Sequence, residues 1–258
     1  MKRTIKIIYL LAISMVWVGC GSDFNSDMNA GIRSMPSSGA GGSLARFAIV
    51  NNMLYTVDYS NLKVFDITDP SALSQINDVT VNDVFEVETI YPFGQHLFIG
   101  TQSGMIIYET GTQGGLTRIS EFAHVVSCDP VVTDGKYAYV TLRSQQDNQR
   151  CWRPSNQLDI LDVQDITNPF LVNSIDMTFP KGLGISDSTL FVCDEGLKVF
   201  NVADVMDVRE VAHINIPAND VIPWRGVLIV TANDGLYQYR YNNMQLDLLS
   251  KLDITPPE

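Results

Sequence analysis

From Leu44 onward, short apolar runs broken by polar residues recur along the chain, and long stretches at helical spacing are missing. One kind of run is rich in aromatic and β-branched residues: Leu54-Tyr55-Thr56-Val57, Leu97-Phe98-Ile99-Gly100, Ala138-Tyr139-Val140-Thr141, Leu190-Phe191-Val192-Cys193 and Leu228-Ile229-Val230-Thr231. Their starts lie 43, 41, 52 and 38 residues apart. A second run follows each across a Gly/Asn/Asp/Ser turn: Leu62-Lys63-Val64-Phe65, Met105-Ile106-Ile107-Tyr108, Leu158-Asp159-Ile160-Leu161, Leu197-Lys198-Val199-Phe200 and Leu236-Tyr237-Gln238-Tyr239. Three copies then enter an Asp/Asn-rich turn, Asp66-Ile67-Thr68-Asp69-Pro70, Asp162 through Pro169, and Asn201-Val202-Ala203-Asp204, ahead of an outer strand. A short strand before each aromatic one completes a unit of four antiparallel strands.

A four-stranded unit of about 40 residues cannot cover both of its faces alone, and radial stacking of such units does so. The pattern therefore predicts an all-β fold, a five-bladed β-propeller of four-stranded antiparallel blades over residues 44–258. A β-sandwich with coincidental spacing is the alternative. The third copy carries an insertion at residues 144–156, in the hairpin between its second and third strands. The second runs and their turns, most clearly Leu158-Asp159-Ile160-Leu161-Asp162 and Leu62-Lys63-Val64-Phe65-Asp66, resemble the LVIVD repeat of surface β-propeller proteins. Copies two and five match that repeat less well. The resemblance implies a fold and a surface location, and no activity.

The first residues do not belong to this pattern. Lys2, Arg3 and Lys6 precede an apolar run over residues 7–18, which is short for a bilayer span and has the layout of a secretory signal peptide. It ends in Trp17-Val18-Gly19-Cys20, which resembles a lipobox although Trp17 stands where an aliphatic residue is usual. The expectation is a leader at residues 1–19, acylation of Cys20, and an exported protein anchored in the bacterial cell envelope by that lipid. Residues 20–43 are mostly Gly, Ser, Asn, Met and Pro and read as a flexible tether, with a root-mean-square reach of roughly 25 Å.

Charge narrows the partners. The chain has 17 Lys and Arg against 29 Asp and Glu, and loss of the leader leaves a net charge near −15. Such a surface repels phosphates, so nucleic acid is not an expected partner.

In a propeller the loop leading into each innermost strand shares a rim with the hairpin between strands two and three. Counting back eight or nine residues from the aromatic runs reaches Arg46, Glu88, Asp129, Lys181 and Asp220, one charged residue per blade at the channel mouth. They form a candidate ligand ring, or else a wet and mutually paired pore lining. The insertion, with Cys151-Trp152-Arg153-Pro154, maps to the same rim, and Trp152 and Arg153 have the composition of a contact hot spot; a loop whose Trp packs on its own blade is the other reading. Cys128 and Cys151 map to that rim as well and are expected to form a disulfide in an oxidising compartment, while Cys193 reads as a buried free thiol.

Catalytic signatures are absent from the sequence. His96, His124 and His213 have no partner at helical spacing, and Asp58, Asp194 and Asp234 sit in hairpins that lack an Asp-x-Asp-x-Asp calcium loop. Ordinary turn chemistry is the expectation for them. The preferred function is an envelope binding or scaffolding module for a protein or glycan, without a required cofactor. Two rivals stand beside it: a channel-mouth enzyme, a metal-dependent hydrolase or lyase using Glu88, Asp129 and Asp220 around a divalent metal, and a purely structural envelope component.

Overall fold

The computed structural model describes residues 41–81, 86–123, 130–144 and 156–254. Five separate four-stranded antiparallel sheets follow one another, each built from one contiguous stretch of chain. The first contains β1 (Phe47–Val50), β2 (Met53–Asp58), β3 (Asn61–Asp66) and β4 (Ser74–Thr80). The second contains β5 (Val87–Phe93), β6 (His96–Thr101), β7 (Gly104–Thr110) and β8 (Leu116–Ala123), and the third β9 (Val131–Thr133), β10 (Tyr137–Leu142), β11 (Asn156–Asp162) and β12 (Phe170–Met177). β13 (Leu183–Ser186), β14 (Thr189–Cys193), β15 (Leu197–Asn201) and β16 (Arg209–Ile214) form the fourth; β17 (Ala218–Trp224), β18 (Val227–Ala232), β19 (Gly235–Asn242) and β20 (Gln245–Asp253) form the fifth. These are the blades of a β-propeller. The aromatic runs are the second strands and the runs after them the third, as the spacing predicts.

Local chemistry repeats with the blades. The first hairpin of every blade turns on a residue with positive φ: Asn51, Gly94, Gly135, Asp187, and Arg225 with Gly226. Each pairing of third and fourth strands slips by one residue at the same place, after Val64, Ile107, Ile160, Val199 and Gln238, which bends the outer edge. In blades one, three and four the turn between these strands is held by two successive side-chain-to-backbone bonds, in which the N–H groups of Thr68 and Ser71, Gln164 and Thr167, and Ala203 and Met206 donate to Asp66 and Asp69, Asp162 and Asp165, and Asn201 and Asp204. Blade two replaces this device with a one-turn 3-10 helix, Thr112–Gly114, and blade five with a tight hairpin at Asn243 and Met244. The two copies that match the repeat least are thus the two with different outer turns.

Four hydrophobic clusters fill the seams between consecutive blades. The aromatic residue of each second strand, Tyr55, Phe98, Tyr139 or Phe191, is at most 1% exposed and packs on the blade that follows. Among the described residues no cluster joins blade five to blade one. The strands show it directly: β14 is buried on both faces, whereas β2 and β18 alternate between buried and accessible positions. Phe47 pairs with Thr56 at the site where the other blades place Ile90, Val131, Leu183 and Val221, all at most 1% exposed, yet Phe47 is 59% exposed. The inner edge of this seam is occupied by residues 42–44. Ser43, fully buried, accepts a hydrogen bond from the Leu183 N–H and donates one to Asp220, and Gly42 lies so close to Asp220 and Ile222 that a Cβ there would collide.

Candidate functional site at the channel mouth

Backbone bonds bring the two kinds of rim loop together in every blade, with the N–H groups of Val57, Gln102, Thr141, Cys193 and Asn233 donating to the carbonyls of Arg46, Glu86, Pro130, Gly182 and Pro217. The donor follows the second strand in blades two and five and lies within it in blades one, three and four, so the end of each second strand stands beside the segment that opens the innermost strand. This register adds Glu86, Gln102, Arg143 and Asn219 to the residues expected from counting.

The expected ring divides into local groups. Arg46 lies 3.8 Å from Glu86, and the Gln102 amide donates to Glu86 at 3.1 Å and to Glu88 at 3.5 Å. Lys181 donates from Nζ to Asn219 at 2.8 Å, and Asn219 donates in turn to Asn233 at 2.7 Å. Asp220 accepts from the Ser43 hydroxyl and from the N–H groups of Leu44 and Val221. Burial pushes its carboxyl above the ordinary range and outweighs those bonds. Asp129, Trp152, Arg153, Cys128, Cys151, His124 and Cys20 lie outside the described residues. The insertion does fall between β10 and β11, in the hairpin expected for it.

Arg143 was not singled out by the sequence. Its guanidinium is half-buried, 5.2 Å from the centre of the Phe179 ring, and its Nε has no hydrogen-bond partner among the described residues. Burial lowers its pKa, and the nearby Glu88 works in the opposite direction. Phe179, itself 42% exposed, also forms one wall of a cleft of about 320 Å³ between blades four and five, lined further by Lys181, Glu195, Ile216, Pro217 and Asn233. The rim thus offers a guanidinium whose Nε is unpartnered among the described residues, an ammonium and an aromatic ring beside a cleft of mixed polarity.

Phe179 is held in place from below. Asp194, whose side chain is wholly buried, accepts the N–H groups of Thr178 and Phe179 and the Lys198 ammonium at 2.8 Å. Those donors hold its carboxyl below the ordinary value even though burial acts the other way. The other two hairpin aspartates bind lysines too, Asp58 to Lys63 and Asp234 to Lys251. His96 opens β6, and His213 meets the Glu195 carbonyl at 3.1 Å. Cys193 is free and buried, and burial together with the Asp220 charge pushes its thiol far up, which leaves it unreactive. Among the described residues no group of three His, Cys, Asp or Glu is placed to hold a metal ion.

No protein-family model matches the chain and no curated protein matches it in sequence, so the likeness to the LVIVD repeat rests on the residues quoted above. Solved structures do match in shape. A protein from Lactobacillus plantarum superposes with a TM-score of 0.62 at 17% identity, over 80% of this chain and 69% of that one. The periplasmic gluconolactonase PpgL of Pseudomonas aeruginosa gives 0.60 at 15% identity, over 79% and 68%. AztD of Citrobacter koseri gives 0.56 at 12% identity, over 79% and 61%. At these identities the likeness establishes the β-propeller fold and carries no activity to this chain.

Proposed function

We propose that the protein is a binding module of the cell envelope whose channel mouth takes a protein or glycan that presents a carboxylate. The observation that carries this reading is Arg143: a half-buried guanidinium with an unpartnered Nε, resting on an exposed aromatic ring at the edge of a cleft. A carboxylate supplies the acceptor that this Nε lacks, and the geometry of the two groups allows two parallel bonds. Lys181, which lines the cleft together with Phe179, adds a second positive charge in a protein with an excess of acidic residues, so the cationic spot selects rather than attracts anions at large. The exported, lipid-anchored location expected from the N-terminal residues fits a receptor or scaffold facing other envelope components.

Titration calorimetry with hexuronate and neutral hexose oligosaccharides, and with peptides ending in a free carboxylate or an amide, tests the reading. The acidic member of one pair binds, and Arg143→Gln weakens it about tenfold or more, as loss of a charge-assisted hydrogen bond requires. Equal binding of acidic and neutral partners, or binding indifferent to Arg143→Gln, refutes it. The location is tested separately: Cys20→Ser releases the protein from the membrane fraction or leaves it unprocessed, and unchanged attachment refutes lipidation.

A further inference from the structure

The seam between blades five and one is open, and both of its faces are built as mates. On blade one, Leu54 occupies the position held elsewhere by Leu97, Ala138, Leu190 and Leu228, each of them fully buried. Phe65 corresponds in the same way to Tyr108, Leu161, Phe200 and Tyr239, none more than 5% exposed. On blade five, Ile229 corresponds to the buried Tyr55, Phe98, Tyr139 and Phe191, and Leu236 to the buried Leu62, Met105, Leu158 and Leu197. Leu54, Phe65, Ile229 and Leu236 are nevertheless only partly buried, and Phe47, Trp224 and Leu252 on the same two faces are 59%, 43% and 63% exposed.

Among the described residues, the polar link that closes three of the four other seams is missing here as well. Asn77, Ser120 and Asn173 on the outer strands of blades one to three donate to the carbonyls of Gly114, Ile166 and Val205 in the blade that follows. Ser250, at the matching place in blade five, donates to Gln238 of its own blade. Asp58 matches Asp194, yet where Asp194 collects two N–H groups from the segment leaving the preceding blade, Asp58 is half exposed and bonded only to Lys63 among the described residues. At the inner edge, Ser43 and Leu44 ahead of β1 bond Asp220 of blade five and Gly42 lies against it, while among the described residues no hydrophobic cluster joins the two blades.

We propose that a second copy of this chain fills the seam, the blade-one face of one copy docking on the blade-five face of the other. What fits the blade-one face is a blade with the apolar positions of blade five, and this chain carries one. A two-fold pair leaves neither face of either copy uncovered, because each contact is repeated by symmetry. A face of four strands, five residues deep, measures roughly 19 by 17 Å, so two such contacts bury roughly 1,300 Å² counted on both sides, within the range of stable interfaces. Gln238, Thr231, Thr56 and Lys63 make the two faces wetter than the inner seams, in keeping with a surface that is also exposed in the free monomer.

Sedimentation equilibrium on the mature chain carrying Cys20→Ser, which removes association through lipid, tests the proposal. The wild-type faces give a dimer at micromolar concentration. Phe47→Glu alone, and Trp224→Glu with Leu252→Glu, each give monomers whose far-ultraviolet spectrum and melting temperature stay close to those of the parent. Mixing the two variants gives a pair with one intact contact and one that carries both sets of substitutions, so the mixture associates more weakly than the parent. A parent that stays monomeric at every concentration overturns the proposal, as does a dimer that survives Phe47→Glu or the paired Trp224→Glu and Leu252→Glu substitutions.

Discussion

Asp194 is the group whose removal the structure prices most directly. Asp194→Ala strands the Lys198 ammonium, 16% exposed, and leaves the N–H groups of Thr178 and Phe179 without an acceptor. Breaking a buried pair from one side costs about 3–5 kcal/mol, and each orphaned N–H about 1–3 kcal/mol. These costs overlap, because solvent reaches Lys198 and the freed segment can move toward water, so the expected loss is about 3 kcal/mol. Asp194→Asn keeps one acceptor oxygen and falls about midway. Lys198→Met in the Asn background recovers part of the loss by removing the stranded cation. Urea denaturation followed by far-ultraviolet circular dichroism measures these differences, with the slope unchanged if the unfolded state is the same. The pH dependence has a definite sign. The folded-state pKa of Asp194 lies below its ordinary value of 3.8, so its contribution is complete above that value and fades as the pH falls through the folded pKa. The gap between parent and Asp194→Asn therefore closes in acid. A cost below about 1 kcal/mol for the Ala variant, or a gap that persists unchanged to strongly acidic pH, refutes the account. Arg143 reports the same event from the binding side, since Phe179 lies under it and is fixed by this carboxylate.

Two further outcomes follow from burial. Leu97→Ala, in a filled seam, costs about 2–5 kcal/mol, while Leu54→Ala at the corresponding place in the open seam costs less than half as much in a monomeric background; equal costs in thermal melts refute an open seam. Asp220 shifts in the opposite sense from Asp194: its folded pKa is raised, so its favourable contribution is present below 3.8 and is lost as the pH rises through the folded value. Asp220→Asn, neutral throughout, accordingly melts higher than the parent at neutral pH and no higher in strong acid, and equal melting at pH 7 sinks this reading.

The five-blade architecture and the strand order were legible because a period near 40 residues fixes them once the unit is recognised. The grouping of the inner-strand charges was not. Counting back from the aromatic runs finds the loop into the innermost strand but ignores the residue just past the second strand, where the copies place Tyr59, Gln102, Arg143, Glu195 and Asn233. Aligning the copies at that position shows a column without an aliphatic residue, the signal that leads to Arg143. The open seam also left a trace in the sequence: Gln238 stands where the other third strands carry Val64, Ile107, Ile160 and Val199. What no pattern announces is Ser43, whose burial depends on contacts with Leu183 and Asp220 far along the chain, inside a stretch that reads as tether.

Among the described residues, every sheet pairs strands only from its own contiguous stretch of chain, and no strand is lent from one end of the sequence to a sheet at the other. Loss or duplication of a terminal blade by recombination thus cuts no sheet and orphans no strand; it exposes one seam face and hides another of the same make. The number of blades is free to drift in descendants of this gene while the interface chemistry stays constant, and a lineage that gained blades would trade a contact between molecules for a contact within one.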